Sequence, residues 1–270
     1  MKIAAAAYPL TFLSDWESYG RKMRDWVGEA VALGADLLVF PEYGRMELAT
    51  LDGKEAAADL ERSLHAASHW TDQADILMDE LARAHGVHIL APSGPVFDGG
   101  LRPVNRAGFF GPEGRIGYQD KQVMTRFERE RWDVVPGGAL RVFDTALGRI
   151  GVLICYDAEF PLLGRALVEA GAEVILAPSC TDTVAGWSRV RVGAMARALE
   201  GQCVTVLSPT VGPAPWSPAV DENVGAAGVF GPADLGFPET GAIAEGKLNA
   251  PGWVVAEVGR DAIAQVRKTG

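Results

Sequence analysis

One pattern recurs along the chain: a helical stretch ends at a glycine, a short apolar run follows, and a proline stops it. It occurs over residues 34–44, 85–94 and 171–180. The apolar runs do not alternate with polar residues, which is typical of strands that are covered on both faces. The repeat therefore predicts an α/β domain in which helices flank a sheet.

The spacing of apolar and turn residues predicts the other elements. Predicted helices cover 15–33, 71–85, 162–170 and 188–199. Predicted strands cover 2–7, 36–40, 87–91, 105–110, 149–154, 173–177, 203–207, 225–230 and 252–258. A G-P-E-G turn indicates a hairpin over 108–121, and 228–246 has a similar pattern. Because hairpins occur beside crossovers, the sequence favours a sandwich over a purely parallel sheet.

Composition limits the class of protein. The chain has 270 residues, 48% of them hydrophobic, and no linker or charge block divides it, so we predict one domain over 1–270. A net charge of −10 repels phosphate backbones, which argues against a nucleic-acid partner. No apolar run reaches the roughly 18 residues of a membrane span. Pro9 interrupts the apolar start, so we expect a first strand there rather than a signal peptide.

The three cysteines are Cys155, Cys180 and Cys203. They are too far apart for a zinc site, and their odd number rules out a fully paired disulfide framework, so we expect a reducing, cytoplasmic setting. Cys155 ends an apolar strand just before a helix, where a nucleophile is held at the top of a sheet near free backbone N–H groups. A buried structural cysteine is the alternative interpretation of this position.

A nucleophilic thiol needs a base, and the histidines are poor candidates. All four lie within 65–88, and no motif places one beside Cys155. Glu42 directly follows an apolar strand, at the sheet edge where α/β folds bind ligands, and is a candidate base with a raised pKa. Lys121 ends the first hairpin among several carboxylates, where a buried ammonium would stabilise an oxyanion. The alternatives are a helix cap for Glu42 and a solvated loop around Lys121.

Three segments together resemble the nitrilase, or carbon–nitrogen hydrolase, superfamily. They are the F-P-E motif at 40–42, the Y-Q-D-K motif at 118–121, and the I-C-Y-D-A-E-F-P motif at 154–161. The R-A-L-E-G-Q helix end at 197–202 and the late G-P-A-D-L-G turn at 231–236 extend the resemblance over nearly the whole chain. The resemblance implies an α/β fold of the αββα sandwich type, with two mixed sheets flanked by helices.

The same resemblance implies an amidase whose nucleophile is Cys155, whose base is Glu42 and whose oxyanion-stabilising cation is Lys121. It also implies a supporting glutamate, for which Glu130 is the first assignment and Glu128 the competing one. We expect the backbone N–H of Tyr156 to assist in the oxyanion site. The implied reaction needs no metal or organic cofactor. Association is common in the family, which implies a homodimer or a higher homo-oligomer.

The resemblance implies a small-molecule amide as the substrate. Two departures from the family pattern bear on its chemical class. Tyr156-Asp157 after the cysteine favours amide over nitrile chemistry, and Glu159 stands where relatives acting on ω-amides of dicarboxylic acids often have arginine. An N-carbamoyl substrate, a nitrile, or a non-catalytic binding role on the same fold are the alternatives. Cys180 follows a strand end and is a candidate cleft residue, but the favoured interpretation is a small apolar residue that fills space. Trp187 and Trp216 are candidate pocket residues, but the favoured interpretation is ordinary loop packing.

Overall fold

The computed structural model describes residues 1–269, and its sheet has thirteen strands. The strands are β1 (Lys2–Pro9), β2 (Leu37–Val39), β3 (His88–Leu90), β4 (Gly94–Val96), β5 (Val104–Gly111), β6 (Gly114–Asp120), β7 (Val142–Thr145), β8 (Gly148–Val152), β9 (Val174–Ser179), β10 (Val204–Val211), β11 (Gly228–Phe230), β12 (Ala242–Glu245) and β13 (Gly252–Glu257).

Helices connect and cover these strands. The α-helices are α1 (Trp16–Ala32), α2 (Lys54–Ala57), α3 (Leu60–His69), α4 (Thr71–His85), α5 (Pro161–Glu169), α6 (Val184–Gly201) and α7 (Arg260–Thr269). Two 3₁₀-helices cover Gly44–Asp52 and Cys155–Glu159, and a π-helical turn covers Glu128–Trp132.

The strands form one curled, mixed sheet. The main path runs β4-β5-β3-β2-β1-β10-β9-β8-β7. The pairs from β3 through β2, β1, β10 and β9 to β8 are parallel, whereas the hairpins β5–β6, β7–β8 and β11–β12 are antiparallel. The prediction of a mixed α/β fold is therefore confirmed, and the more detailed αββα layering stays a prediction.

The absence of alternation in the strands has the expected cause, which is burial on both faces. In β1 every residue from Ile3 to Tyr8 is buried. Ile3 and Ala5 belong to one apolar cluster with residues of β8, β9 and β10, and Ala4 and Ala6 belong to a second cluster with residues of α1, α3 and α4. One strand thus joins the two cores.

Glycine ends the helices where the sequence pattern predicted it. Gly86 after α4 has φ +66° and Gly171 after α5 has φ +96°, a left-handed conformation that costs other residues roughly 1–2 kcal/mol. The chain can therefore reverse from helix to strand in one or two residues.

Several elements differ from the predictions. Helices α2, α3 and α7 and strands β4 and β7 were not predicted. The elements α2, β4 and β7 have only four, three and four residues, and only a few apolar residues mark the buried sides of α3 and α7, such as Ile263 and Val266. Helix α6 begins at Val184 rather than 188, since the Thr183 side chain accepts a hydrogen bond from the N–H of Gly186. None of the described helices is long and apolar enough to cross a membrane.

Candidate active site

The three candidate residues each follow a strand, and the strands run in the same direction. Glu42 comes three residues after β2, Lys121 directly follows β6, and Cys155 comes three residues after β8. β2 and β8 run in the same direction, because every strand pair between them is parallel. β6 also runs in that direction, because β3 is parallel to β2 and two antiparallel pairs, β3–β5 and β5–β6, separate β6 from β3. Their carboxyl ends therefore lie at one edge of the sheet, where the three side chains converge.

Lys121 lies at the centre of this group. Its side chain is 1% exposed, and its Nζ donates to Glu42 Oε1 at 2.7 Å and to Glu128 Oε1 and Oε2 at 2.8 and 2.7 Å. Burial alone would lower the pKa of Lys121, but the two carboxylates outweigh it and raise that pKa well above the ordinary lysine value. The ammonium is therefore a permanent positive charge.

Glu128, not Glu130, is the second carboxylate at the lysine. Glu130 lies on the surface, where its side chain is 45% exposed and pairs with Arg126 and Arg129. Glu130 does not reach the lysine because residues two apart in a helical turn point in opposite directions, whereas Glu128 shares its buried side with Trp132, four residues on. The alternative that the sequence left open is the one that the structure supports.

Glu128 is held by several donors besides Lys121. The hydroxyl of Tyr43 donates to Oε1 at 2.6 Å, and the N–H and hydroxyl of Thr125 both donate to Oε2 at 2.8 Å. Burial raises the pKa of Glu128, but Lys121 and these hydrogen bonds outweigh it, so its pKa lies below the ordinary glutamate value. Glu128 is therefore a fixed anion that neutralises the lysine.

Glu42 has a different environment. Lys121 Nζ and Asn105 Nδ2 both donate to the same oxygen, Oε1, at 2.7 and 3.0 Å. Burial raises the pKa of Glu42 to about 7, against the lowering effect of Lys121 and with a further raising effect from Glu128. Glu42 can therefore take up and release a proton near neutral pH, which Glu128 cannot.

Cys155 begins the turn that follows β8. Its φ is +51°, and only 3% of its surface is exposed. Its Sγ lies 3.8 Å from the carbonyl oxygen of Cys180, and Glu42 is close enough that each of the two groups shifts the pKa of the other. Burial and the charge of Glu42 raise the pKa of the Cys155 thiol well above its usual value, so the sulfur is protonated at rest and needs a base.

Asp157 connects the cysteine turn to the lysine loop, and sequence reasoning gave it no role beyond its place in the motif. Its buried carboxylate accepts hydrogen bonds from the N–H groups of Gln122, Val123 and Ile154, at 2.8 to 3.2 Å. These bonds fix the position of Cys155 relative to Lys121 across two separate strand ends. The aspartate two residues after the cysteine was the only sequence signal for this contact.

A cleft of about 380 Å³ opens over the group. Its lining includes Lys121, Glu128, Cys155, Tyr156 and Cys180, and the aromatic rings of Tyr43, Phe127 and Trp132. Charged side chains surround its mouth, namely Arg126, Glu159, Asp182, Arg189, Asp221 and Glu222. Such a site, with an apolar wall and a few buried polar groups, suits a small molecule.

The structure also places the secondary candidates. Cys180 lines the cleft, where its thiol contacts Asn223 Oδ1 at 3.4 Å, so the less favoured interpretation of its position is the better one. Within residues 1–269, Trp187, Trp216 and the histidines are absent from the cleft lining. Trp187 instead donates to the carbonyl of Ala226 at 3.2 Å, and Trp216 packs edge-on against Phe12.

Comparison with known proteins identifies the family. The sequence model of the carbon–nitrogen hydrolase family matches residues 2–267, so the chain belongs to that family, within the nitrilase superfamily. Probable hydrolase YhcX of Bacillus subtilis is 31% identical over 271 aligned residues, which cover 100% of this chain and 52% of that protein. The chain spans about half the length of the first curated relatives that it matches.

Two solved structures show the same fold. Saccharomyces cerevisiae Nit3, a member of branch 10 of the nitrilase superfamily, superposes with a TM-score of 0.75 at 20% identity, covering 99% of this chain and 93% of that one. The amidase from Nesterenkonia sp. AN1 superposes with a TM-score of 0.72 at 21% identity, covering 99% and 98%. In that amidase structure, acrylamide has added to the active-site cysteine.

The two glutamates of the lysine loop provide a matched test of the buried charges. Glu128→Gln removes one of the two anions that compensate Lys121, so we expect the free energy of unfolding to fall by roughly 3 kcal/mol. Glu130→Gln removes an exposed carboxylate and should leave stability unchanged. Urea unfolding of both variants measures the difference, and equal stability of the two would contradict the position assigned to Glu128.

Proposed function

We propose that this protein hydrolyses the C–N bond of a small linear amide through a thioester on Cys155. One observation carries the proposal: a permanently charged lysine lies between two buried glutamates, of which only the one beside the thiol has a pKa near 7. A nucleophile, a proton carrier and a fixed cation are the three groups that acyl transfer from an amide requires.

The first half-reaction forms the acyl-enzyme. Glu42 takes the Cys155 proton while the sulfur bonds to the amide carbon, and the carbonyl oxygen becomes an anion next to the Lys121 ammonium. The backbone N–H of Tyr156 is proposed as a second donor to that oxygen. Removing one such donor typically slows acyl transfer by roughly 100-fold. The C–N bond then breaks, and Glu42 gives its proton to the departing ammonia or amine.

The second half-reaction restores the enzyme. Glu42 takes a proton from a water molecule, the resulting hydroxide bonds to the thioester carbon, and the C–S bond breaks. The acid is released and the thiolate regains the proton from Glu42. Side chains and water supply every group that moves, and Glu128 keeps the Lys121 ammonium neutralised throughout without exchanging a proton itself.

Substitution of the three reacting groups tests this mechanism. We expect Cys155→Ala, Glu42→Gln and Lys121→Ala each to lower kcat at least roughly 100-fold in a folded protein, because each removes a group that acts in the transition state. Ammonia or amine release across a panel of amides, nitriles and N-carbamoyl amino acids measures the rate and identifies the substrate class. An active Cys155→Ala protein would refute the scheme, and a wild type inactive on the whole panel would favour a binding role.

The pH dependence tests the role of Glu42 without a known substrate. A base whose pKa is raised to about 7 is protonated below that pH, so reactivity should be lost as the pH falls through 7 and be retained above it. The rate of Cys155 alkylation by iodoacetamide, a neutral reagent, should fall roughly tenfold per pH unit below 7. A rate that rises only with the ordinary ionisation of a free thiol would exclude Glu42 as the base.

We also propose the αββα layering, a homodimer and a reducing, cytoplasmic location. The layering is supported by β1, whose two faces join separate cores, and the location by three cysteines that all stay free. The dimer is supported by apolar side chains on α5 and α6, since Leu162, Val192 and Leu199 are 82%, 62% and 60% exposed.

A charge placed on this helical surface tests the dimer. We expect the wild type to sediment as a dimer and Leu162→Glu to sediment as a monomer, because the substitution would bury an unpaired carboxylate. Leu101→Glu changes a leucine that is 96% exposed and lies outside α5 and α6, and it serves as the control. A monomeric wild type in sedimentation velocity would reject the proposed assembly.

A further inference from the structure

Asn105 is a polar residue on an apolar strand face. It lies near the start of β5, and Ala107 and Phe109, two and four residues later on the same face, belong to the main apolar cluster. Asn105 is 0% exposed. An asparagine in such a place must be explained by a partner, because an unpaired buried amide is costly.

The partner is the Glu42 carboxylate, which receives the Asn105 amide and the Lys121 ammonium on one oxygen. Asn105 Nδ2 donates to Glu42 Oε1 at 3.0 Å, and Lys121 Nζ donates to the same atom at 2.7 Å. The two residues also meet through the backbone, since the N–H of Lys121 donates to the Asn105 carbonyl at 2.9 Å. Neighbouring strands thus bring two donors to a single carboxylate oxygen.

The oxygen of the Asn105 amide has a different environment from the nitrogen. Its Oδ1 is buried and has no hydrogen-bond partner within residues 1–269. Rotating the amide by 180° would bring Oδ1 against the Glu42 carboxylate and leave Nδ2 unpaired, so the bond to Glu42 fixes the orientation. The hydrogen bond to Glu42 is therefore the side-chain contact that explains an asparagine at this position.

We propose that Asn105 is a positioning residue that holds Oε1 of Glu42 and leaves Oε2 as the atom that exchanges the proton with Cys155. This inference rests on the proposed function. With both donors on Oε1, the carboxylate cannot rotate without losing two hydrogen bonds. The Asn105 bond also favours the ionised form of Glu42, which offsets part of the effect of burial.

Asn105→Leu tests this role because it removes the donor while keeping a side chain of similar size. We expect the midpoint of the pH profile for iodoacetamide alkylation of Cys155 to rise by about one unit, as one lost hydrogen bond to the ionised carboxylate would cause. The rate above that midpoint should also fall, because Oε2 is no longer aimed at the thiol. Asn105→Ala carries the same test if leucine does not fit.

Thr205→Val is the matched control. Thr205 is equally buried, on β10, and its hydroxyl donates to the carbonyl of Ala194 at 2.9 Å, away from the cleft residues. This variant loses one buried hydrogen bond and should leave the alkylation profile unchanged. A folded Asn105 variant with the wild-type midpoint and rate would overturn the proposal.

Glu42→Gln separates this inference from the proposed function. If Asn105 acts through Glu42, then adding Asn105→Leu to Glu42→Gln should cause no further change in the alkylation rate. If Glu42→Gln alone behaves like wild type, the proposed function fails as well. If Glu42→Gln is impaired while Asn105→Leu is not, only the role of Asn105 is wrong.

Discussion

The ammonium of Lys121, buried between two carboxylates, is the interaction on which the rest of the site depends. A lone lysine in this position would give up its proton rather than remain charged away from water. Glu42 and Glu128 prevent this, and they come from chain segments 79 and 7 residues away from Lys121. The sheet has to bring the exits of β2 and β6 together before the charges are compensated, so the fold and the site depend on each other.

The two carboxylates show how environment separates identical side chains. Glu128 accepts hydrogen bonds on both oxygens, from Lys121, Tyr43 and Thr125, and stays ionised. Glu42 accepts hydrogen bonds from Lys121 and Asn105 on one oxygen only, and burial raises its pKa to about 7. The site therefore contains one constant negative charge and one that can be exchanged, which is the division that acid–base catalysis needs.

Much of the fold and the convergence of Glu42, Lys121 and Cys155 could be predicted from sequence, because apolar runs mark buried strands and all three residues follow such runs. Glu128 was harder to assign, since a short charged segment does not reveal which side of its turn is buried. Asn105 and Asp157 act through contacts with residues 63 and 34 to 35 positions away, besides the local bond to Ile154. Such partners depend on strand pairing that no local pattern encodes.

The Asp157 carboxylate makes the loop after β6 and the turn after β8 a single mechanical unit, because its hydrogen bonds reach the backbone of both. A chimaera that imports only one of these segments would separate the Asp157 carboxylate from the N–H donors of Gln122 and Val123. Residues 121–123 and 154–157 should consequently be exchanged together when the specificity of this scaffold is redesigned, while the mouth of the cleft can be varied separately.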